Sequence, residues 1–438
     1  MKRKISIILL ILIIIFLNSY KICANEIVNN ETNNEQSSNP LGIIADAAIL
    51  MDVNTGKTLY DKNSEQKSYP ASTTKLLTAI ITLEKYKDLS KKVNISYYSV
   101  HSVPYTYSVA ALLPGEQQTL ADLLNALMVA SANDAAYSLA EYIANDGNNY
   151  PIDSSEQSKQ NFENSIKKFS EMMNTKAKEI GCTNTNFVNP NGIQNENHYS
   201  TAHDLALIGK YAYSNIGIQT LAQKKEVSMP NNNVYTNKIR NFKTTNLLLN
   251  PKKSGYYQYA NGLKTGYTDA AQYCIIASAK KDDRSLIAVI LHSPNCTDEN
   301  TSRESDCKKL FEYGFNEFIN TTLINKNDVV RKLFIINGTS STNTLDLICD
   351  KSQQALIKKG KPMDITPEIR ITKHFAPIAK GEVIGTITYS IDGQEYTSNL
   401  LADHDVYSTN YMSIIWIMTS IFATLLFIIA FLSGKNKN

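Results

Sequence analysis

Three short motifs follow one another along this chain of 438 residues, and they constrain its fold and chemistry more than any other feature. The first is Ser-Thr-Thr-Lys at residues 72–75, the second is Ser-Ala-Asn at residues 131–133, and the third is Lys-Thr-Gly at residues 264–266. Together they supply a serine with a neighbouring amine, a second hydroxyl with an amide, and a cationic strand edge. Acyl transfer through a covalent serine ester requires such a set when no histidine serves as the base.

The first motif predicts an activated nucleophile. On a helix that begins near Pro70, Ser72 and Lys75 are three residues apart and share one face. A lysine held neutral can take the serine proton, and the positive end of the helix favours the developing oxyanion. The alternative is a serine N-cap followed by a surface lysine. A Ser-x-x-Lys pair alone has little specificity, because the chain contains others: Ser64 with Lys67, and Ser165 with Lys168.

The second motif is predicted to lie where one helix ends and another begins, because residues 119–130 and 131–143 both have helical periodicity. A bend at this point can turn Ser131 and Asn133 into one cleft. Ser131 is then predicted to relay a proton between Lys75 and the leaving group, and Asn133 to hold a substrate amide. Ordinary helix capping is the alternative, since Ser and Asn are both favoured caps.

The third motif is predicted to precede a strand. Gly266 would let a substrate backbone lie close along the strand edge, while Lys264 and Thr265 offer donors to a substrate carboxylate. The backbone N–H groups of Ser72 and Tyr267 are predicted to form an oxyanion hole. The alternative is a plain loop with a glycine in its turn.

The two ends of the chain predict an exported protein that is held at a membrane. Residues 1–24 have the layout of a signal peptide, with a basic start, an apolar run too short to span a bilayer, and Ala24 at the expected cut. Residues 412–432 contain no charged residue and are long enough to span. Lys435 and Lys437 follow them, so the positive-inside rule places the C-terminus in the cytoplasm. The prediction is a single-pass cell-membrane protein with its catalytic domain on the extracytoplasmic side.

The length of the chain predicts two folded domains between these ends. Residues 25–40 are rich in Asn, Ser and Glu and are predicted to be a disordered spacer. Residues 41–319 are predicted to form the catalytic domain, and residues 320–401 a small β-rich domain. A linker at residues 402–411 then leads to the anchor at residues 412–432.

Apolar periodicity predicts the elements of both domains. In the first domain, the predicted strands are 47–53, 57–60, 273–279 and 286–292. The predicted helices of that domain begin after Pro70 and continue with 119–130, 131–143, 161–180, 202–213 and 307–318. In the second domain, the predicted strands are 329–336, 346–349, 368–372, 383–389 and 394–399.

Composition argues against several classes of function. The net charge of +3 is close to neutral and no dense Lys/Arg block occurs, so nucleic-acid binding is not predicted. One of the six cysteines lies in the leader, and the odd number that remains argues against a disulfide framework. Free thiols are predicted, with a Cys296–Cys307 bridge as the alternative. Because His198 and His203 lack a third ligand and no Cys-x-x-Cys pair occurs, neither a metal nor a cofactor is predicted.

Several blocks around the motifs carry a family resemblance: residues 70–79, 123–136, 189–193, 198–202 and 264–271. The chain resembles the low-molecular-mass D-alanyl-D-alanine carboxypeptidases over roughly residues 45–405, with the motif set of penicillin-binding proteins. The resemblance implies an α+β fold of the serine β-lactamase and penicillin-binding-protein type. Its catalytic domain would be an antiparallel sheet flanked by helices plus a helical subdomain, with the active site between the sheet edge and the helical part.

The resemblance also implies the reaction. Ser72 would attack the carbonyl between two terminal D-alanines of a wall pentapeptide, one D-alanine would leave, and water would release the tetrapeptide. β-Lactam antibiotics, which mimic that dipeptide, would acylate Ser72 and leave slowly. Arg303 matches a family arginine that helps to hold the carboxylate, with a surface position as the alternative. Two departures are Gln272, where glycine is common and a side chain could crowd the strand edge, and a spanning segment in place of an amphipathic helix.

Three other functions remain open at this stage. A β-lactamase would need a group for efficient deacylation, and no Glu-x-x-Leu-Asn segment follows Ser131. A penicillin sensor or scaffold would bind wall peptides without turnover, and the presence of Ser72, Lys75 and Lys264 argues against an inactive site. A transpeptidase would differ only in its acceptor, an amine instead of water.

Overall fold

The computed structural model describes residues 39–236, 239–296, 300–360, 365–409 and 411–435. The predicted signal peptide and nearly all of the predicted spacer therefore lie outside the described residues. The chain divides into two compact units, of which the first ends at Phe315 and the second begins at Asn316.

A five-stranded antiparallel sheet forms the centre of the first unit, with strand order β2-β1-β9-β8-β7. The strands of this unit are β1 (Ala47–Asp52), β2 (Thr58–Lys62), β3 (Lys92–Asn94), β4 (Gln117–Thr119), β5 (Glu226–Met229), β6 (Arg240–Lys243), β7 (Ala260–Thr268), β8 (Gln272–Lys281), β9 (Arg284–Ser293), β10 (Asn295–Cys296) and β11 (Asn300–Thr301). Strands β8 and β9 are the predicted hairpin, which is confirmed. Both are buried over most of their length, as strands covered on both faces must be.

Helices cover both faces of this sheet, as predicted. They are α1 (Lys75–Lys85), α2 (Tyr97–His101), α3 (Leu120–Val129), α4 (Asn133–Ala144), α5 (Glu156–Ile180), α6 (Ala202–Tyr213), α7 (Ile216–Ala222) and α8 (Ser302–Glu317). A Cβ at Gly209 of α6 would lie 3.0 Å from Ile287, and a Cβ at Gly314 of α8 would lie 2.6 Å from Leu286. Leu286 and Ile287 are neighbours on β9 and point to opposite faces. The two glycines therefore let a helix approach the sheet closely from each side.

Two helices begin five residues before their predicted starts, at 156 and 302 instead of 161 and 307. The hydroxyl of Ser155 caps α5 by accepting from the N–H of Ser158. The first turn of α8 carries Arg303 and Glu304, which form a buried ion pair. Polar residues in a first turn interrupt the apolar period, so the pattern places the helix start too late.

The cysteines whose side chains are described are free thiols, namely Cys182, Cys274, Cys307 and Cys349. The alternative of a Cys296–Cys307 bridge is therefore wrong. Burial raises the pKa of the Cys274 thiol to about 11, which leaves it unreactive at neutral pH.

The second unit is β-rich, as predicted. Its strands are β12 (Phe318–Ile324), β13 (Val329–Phe334), β14 (Thr344–Cys349), β15 (Gln353–Lys358), β16 (Glu368–Ile371), β17 (Val383–Ile391) and β18 (Gln394–Ala402). Five of them form a sheet in the order β13-β14-β18-β17-β16, and β12 pairs with β15. Part of the predicted linker belongs to this unit, because Val406 is buried and Thr409 donates its N–H to the carbonyl of Asn337.

The last element is the helix α9 (Tyr411–Lys435). Its segment Ser413–Ala430 has a mean hydropathy of 2.3 and is long and apolar enough to cross a membrane. This helix coincides with the predicted anchor at residues 412–432 and is consistent with membrane attachment.

Candidate active site

A cavity of about 440 Å³ opens between the edge strand β7 and the connection from α3 to α4. Residues from all three sequence motifs line it: Ser72, Ser131, Asn133, Thr265 and Gly266. Tyr267 and Arg303 line it as well, while Lys75 and Lys264 are buried behind its wall. The structure therefore brings together every predicted site residue. The lining also includes residues that the motifs did not indicate: Thr106, Tyr107, Ser108, Thr245, Thr268, Asp269 and Tyr273.

Ser72 lies on a single 3-10 turn, Ala71–Thr74, that leads directly into α1. This differs from the predicted α-helix, although Ser72 still stands at its N-terminal end. The hydroxyl of Thr73 donates to the carbonyl of Pro70, and that of Thr74 to the carbonyl of Ala71. These two bonds satisfy backbone acceptors at the start of the turn and hold Ser72 in position.

Lys75 is fully buried, and its Nζ has three partners. It lies 2.7 Å from Ser72 Oγ, 2.9 Å from the side-chain oxygen of Asn133 and 2.6 Å from the carbonyl of Asn191. Burial lowers the pKa of Lys75 well below its usual value, the charge of Lys264 lowers it further, and Asp134 partly opposes both. The environment thus favours the neutral amine that a base requires.

The partners of Lys75 also decide where the lone pair of the neutral amine points. A neutral amine keeps two N–H donors, and the carbonyl of Asn191 can only accept. The amide of Asn133 is oriented by its own N–H, which donates to the carbonyl of Ser108 at 2.8 Å, so its oxygen faces Lys75. The contacts of Nζ with Asn191 and Asn133 therefore use both N–H donors of the neutral amine. The lone pair is left facing the Ser72 hydroxyl.

Ser131 stands at the bend between α3 and α4 with a left-handed backbone, φ 59°. This conformation costs a serine about 1 kcal/mol, and the bend aims both motif residues at the cavity. Asn133 is the first residue of α4, and its backbone and side-chain N–H groups both donate to the carbonyl of Ser108. One side-chain N–H remains for a substrate. Helix capping, the alternative interpretation, is not what these side chains do.

The third motif lies inside β7 rather than before a strand, which corrects the prediction. Lys264 is buried, and its Nζ donates to the carbonyl of Thr265 at 2.9 Å. Burial and the neighbouring Arg303 charge lower the pKa of Lys264 to about 7. The hydroxyl of Thr265 pairs with that of Thr245. Polar residues and two glycines interrupt the apolar pattern of β7, so the sequence does not indicate a strand at this motif.

The structure shows a packing reason for Gly266 in addition to the predicted role. A Cβ there would lie 2.9 Å from the backbone N of Ser72 and 3.0 Å from the carbonyl of Pro70. The glycine therefore lets the turn that carries Ser72 pack directly on the edge strand.

Arg303 is buried beside the cavity, so its alternative surface position is wrong. Its guanidinium donates to the carbonyls of Gly266 and Cys274, at 3.3 and 3.5 Å, and pairs with Glu304. The arginine thus braces β7 against β8 and adds positive charge near Lys264.

Gln272 has a left-handed backbone, φ 53°, a conformation that favours glycine. Its side-chain N–H donates to the carbonyl of Asp269. The side chain therefore folds onto the β7–β8 turn.

The turn at residues 189–192 also belongs to the site, although none of the three motifs includes it. Asn189 builds it by accepting the N–H of Gly192 at 2.7 Å. The turn presents the carbonyl of Asn191 to Lys75. Gly192 has φ 80°, and a Cβ there would lie 1.8 Å from the carbonyl oxygen of Ala71.

The variant Gly192→Ala is therefore expected to displace the turn that carries Ser72. Its reaction with benzylpenicillin should slow by roughly 10²-fold, the usual effect when a reacting group is misplaced by about 1 Å. The measurement is the second-order rate of reaction with benzylpenicillin, together with thermal unfolding. Gly381→Ala is the matched control, because Gly381 has the same φ of 80° with open space around it. Wild-type acylation by Gly192→Ala would contradict the proposed contact.

His198 and His203 have different partners in the structure. His203 faces Glu65 at 3.2 Å, and the described residues contain no group of three metal-binding side chains. Nδ1 of His198 accepts the N–H of Val188, so its Nε2–H donates to the hydroxyl of Thr74 at 2.9 Å. The neutral ring thus supports the turn that carries Ser72. Burial, assisted by the charge of Lys75, lowers the pKa of His198 to about 3.

Acid is expected to destabilise the first unit through this histidine. Between pH 6.5 and 3 the unfolded chain binds a proton on His198 and the folded chain does not, so stability falls as the pH falls. His198→Gln is expected to reduce that slope by up to about 1.4 kcal/mol per pH unit. Urea unfolding at several pH values measures it, with the exposed His101→Gln as the control. An unchanged slope in His198→Gln would refute this assignment.

Comparison with known proteins points to one family. Residues 33–152 and 159–295 match the family model described as D-alanyl-D-alanine carboxypeptidase. Residues 318–408 match the model described as Penicillin-binding protein 5, C-terminal domain. The D-alanyl-D-alanine carboxypeptidase DacF of Bacillus subtilis is 32% identical over 357 residues, which cover 80% of this chain and 82% of that protein.

The chain is also similar to solved structures of other proteins. Penicillin binding protein 5 from Haemophilus influenzae has a TM-score of 0.61 and 28% identity, and the match covers 84% of this chain and 98% of that chain. A mutant of the Streptomyces K15 DD-transpeptidase has a TM-score of 0.52 and 33% identity, with 62% and 98% covered. The first similarity extends over both units, and the second is shorter.

Proposed function

Because this chain belongs to the D-alanyl-D-alanine carboxypeptidase family of serine peptidases, we propose that it hydrolyses the bond between the two terminal D-alanines of peptidoglycan stem peptides through an ester on Ser72. The observation that carries the proposal is the 2.7 Å contact between Ser72 Oγ and Nζ of Lys75. Burial lowers the pKa of Lys75 well below its usual value and so favours the neutral amine, whose lone pair faces the Ser72 hydroxyl.

Acylation begins when Lys75 takes the Ser72 proton and the alkoxide attacks the penultimate carbonyl carbon. The carbonyl becomes an oxyanion, which the N–H groups of Ser72 and Tyr267 stabilise. When the tetrahedral intermediate collapses, the C–N bond breaks and the proton passes through Ser131 to the departing amine. D-Alanine leaves, and the stem peptide remains as an ester on Ser72.

Deacylation repeats these steps with water. Lys75 takes a proton from the water, hydroxide attacks the ester carbonyl, and the proton returns to Ser72 as the C–O bond breaks. The products are a shortened stem peptide with a free carboxylate and a regenerated serine. These steps balance without a metal or cofactor.

The substrate carboxylate is held at Lys264 and Thr265, with Arg303 adding positive charge. In the empty cleft Lys264 has a pKa of about 7 because burial and Arg303 disfavour its charge. An anion at the same place offsets both effects and favours the charged lysine. The free N–H of the Asn133 amide faces the acyl side of the scissile bond and can donate to a substrate carbonyl.

β-Lactams are proposed to acylate Ser72 by the same attack. Their leaving nitrogen stays tethered to the acyl group when the ring opens, so it continues to obstruct water and the ester persists. The catalytic unit is proposed to act on the extracytoplasmic side of the cell membrane, with α9 as its single span.

A transpeptidase is the second candidate, because one of the similar structures is that of a DD-transpeptidase. The chemistry of acylation is identical in the two cases. The acceptor differs, since an amine would attack the ester in place of water and form a new amide bond.

The test uses the full-length protein in detergent, first with benzylpenicillin and then with diacetyl-Lys-D-Ala-D-Ala. A stable penicilloyl adduct in the intact mass, mapped to the peptide that contains Ser72, together with release of D-alanine, is the expected result. Added glycine distinguishes the acceptors, since a transpeptidase would form the glycyl peptide. An adduct without turnover would indicate a sensor or scaffold, and rapid penicillin hydrolysis without an adduct would indicate a β-lactamase.

A further inference from the structure

An exposed aromatic and aliphatic surface lies where the second unit meets its anchor. Phe334, Ile336, Phe375 and Tyr407 are 64, 45, 55 and 61% exposed, while Ile335 between the first two is fully buried. Alternation along an extended chain therefore turns Phe334 and Ile336 to the same outer face. We call these four side chains the apolar cap.

Backbone pairing holds the members of the apolar cap together. Ile336 and Phe375 are partners in a parallel bridge, so their side chains share a face. The N–H of Ile336 donates to the carbonyl of His374, and that of Thr339 donates to the carbonyl of Tyr407, at 2.8 and 2.9 Å. Three separate segments thus present large apolar groups at one place. Such a contiguous patch marks an interaction surface on a soluble unit.

The chain itself places this surface near the anchor. Thr409 is fixed to the same loop, since its N–H donates to Asn337 at 2.7 Å and its hydroxyl to the carbonyl of Gly338 at 3.0 Å. The apolar segment of α9 begins at Ser413. Four residues reach at most about 14 Å, even fully extended. Once the helix spans a bilayer, the loop that carries the apolar cap cannot leave the membrane surface.

We propose that the apolar cap inserts into the interface of the bilayer and forms a second attachment of the β-rich unit beside the span. Aromatic side chains concentrate at this depth in membrane proteins, since their rings tolerate the mixed polarity of the headgroup region. The span alone would leave the unit free to rotate on its tether. The additional contact holds one end of β13 at the lipid. This inference rests on the proposed anchoring by α9.

The chain offers a matched reporter pair for the test. Its single tryptophan is Trp416, within the apolar segment. In a Trp416→Phe background, Phe334→Trp and Val329→Trp place a reporter at either end of β13, about 17 Å apart. Val329 is 56% exposed, close to the value for Phe334. Phe375→Trp provides a second reporter in the apolar cap.

Each full-length variant is reconstituted in phosphatidylcholine–phosphatidylglycerol vesicles, with or without lipids brominated near the headgroup. Bromolipid is expected to reduce the emission of the reporters at 334 and 375 by roughly half, since an interfacial ring lies about 5–10 Å into the boundary. The reporter at 329 should keep its emission.

The emission of Trp416 in the native protein distinguishes a failure of the apolar cap from a failure of the anchoring by α9. Quenching of Trp416 with unquenched reporters at 334 and 375 would overturn the apolar cap alone. An unquenched Trp416 would overturn the anchoring and this inference together, and leave the proposed catalysis unaffected. A blue shift at 334 that needs no lipid and grows with protein concentration would assign the surface to a second copy of the chain instead.

Discussion

The variant Ser72→Ala is expected to form no penicilloyl adduct and to release D-alanine only at the background rate. In the proposed mechanism the Oγ of Ser72 bonds to the substrate, and alanine offers no atom to replace it. For serine nucleophiles assisted by a base, the loss is on the order of 10⁶-fold in turnover. Intact mass after benzylpenicillin and a coupled assay for free D-alanine measure the two effects.

The chain contains its own control for this prediction. Ser165 also precedes a lysine by three residues, but its hydroxyl donates to the carbonyl of Asn161 and pairs with the hydroxyl of Tyr150, both at 2.8 Å. Ser165→Ala is therefore expected to keep the adduct and the turnover. An adduct of unchanged yield in Ser72→Ala would place the nucleophile elsewhere and remove the basis of the proposed mechanism.

Replacement of Lys75 is the second large expected effect. In Lys75→Arg and Lys75→Met, the acylation rate should fall by roughly 10²–10⁴-fold, the usual contribution of a positioned base. A guanidinium does not lose its proton at accessible pH, and methionine cannot accept one. Ser72 remains in both variants, so a slow adduct should still form at high penicillin concentration.

The pH dependence gives an independent measure of Lys75. Since the neutral amine is the active form, the acylation rate of the wild type should rise with pH through the pKa of Lys75, which lies well below 10.5. Lys75→Arg should lose this rise. Lys168→Met is the control, because Nζ of Lys168 donates to the carbonyl of Ala144 and pairs with Asp146 instead of with a serine. A rise that persists in Lys75→Arg would assign the base to another group.

Much of the fold follows from local patterns. The helix α6 occupies the predicted residues 202–213, because a continuous apolar period begins directly after the Thr201 cap, which accepts the N–H of Asp204. The strands β8 and β9 are recognisable because apolar runs flank a charged turn. Where a buried first turn is polar, as in α8, the same reasoning starts the helix too late.

Only part of the candidate site could be predicted from the sequence. The motifs contain its side chains, namely Ser72, Lys75, Asn133 and Lys264, so the sequence indicates them. The carbonyls of Asn191 and Ser108 are backbone groups that any residue could supply, so no pattern marks them. The role of His198 is not marked by a motif either, because its partner Thr74 lies 124 residues away in the sequence.

The sequence by itself therefore determined which chemical groups this protein has, in what order, and the periodicity that forms its helices and strands. Tertiary structure decided what those groups can do. Burial, the charge of Lys264 and two carbonyl partners act together on the nitrogen of Lys75 and favour the neutral amine that the proposed base requires. These partners lie 58 to 116 residues away, and only the packing of α1, α4 and the turn at 189–192 brings them together. A pKa and a lone-pair direction depend on distances in space, which residue order alone does not specify.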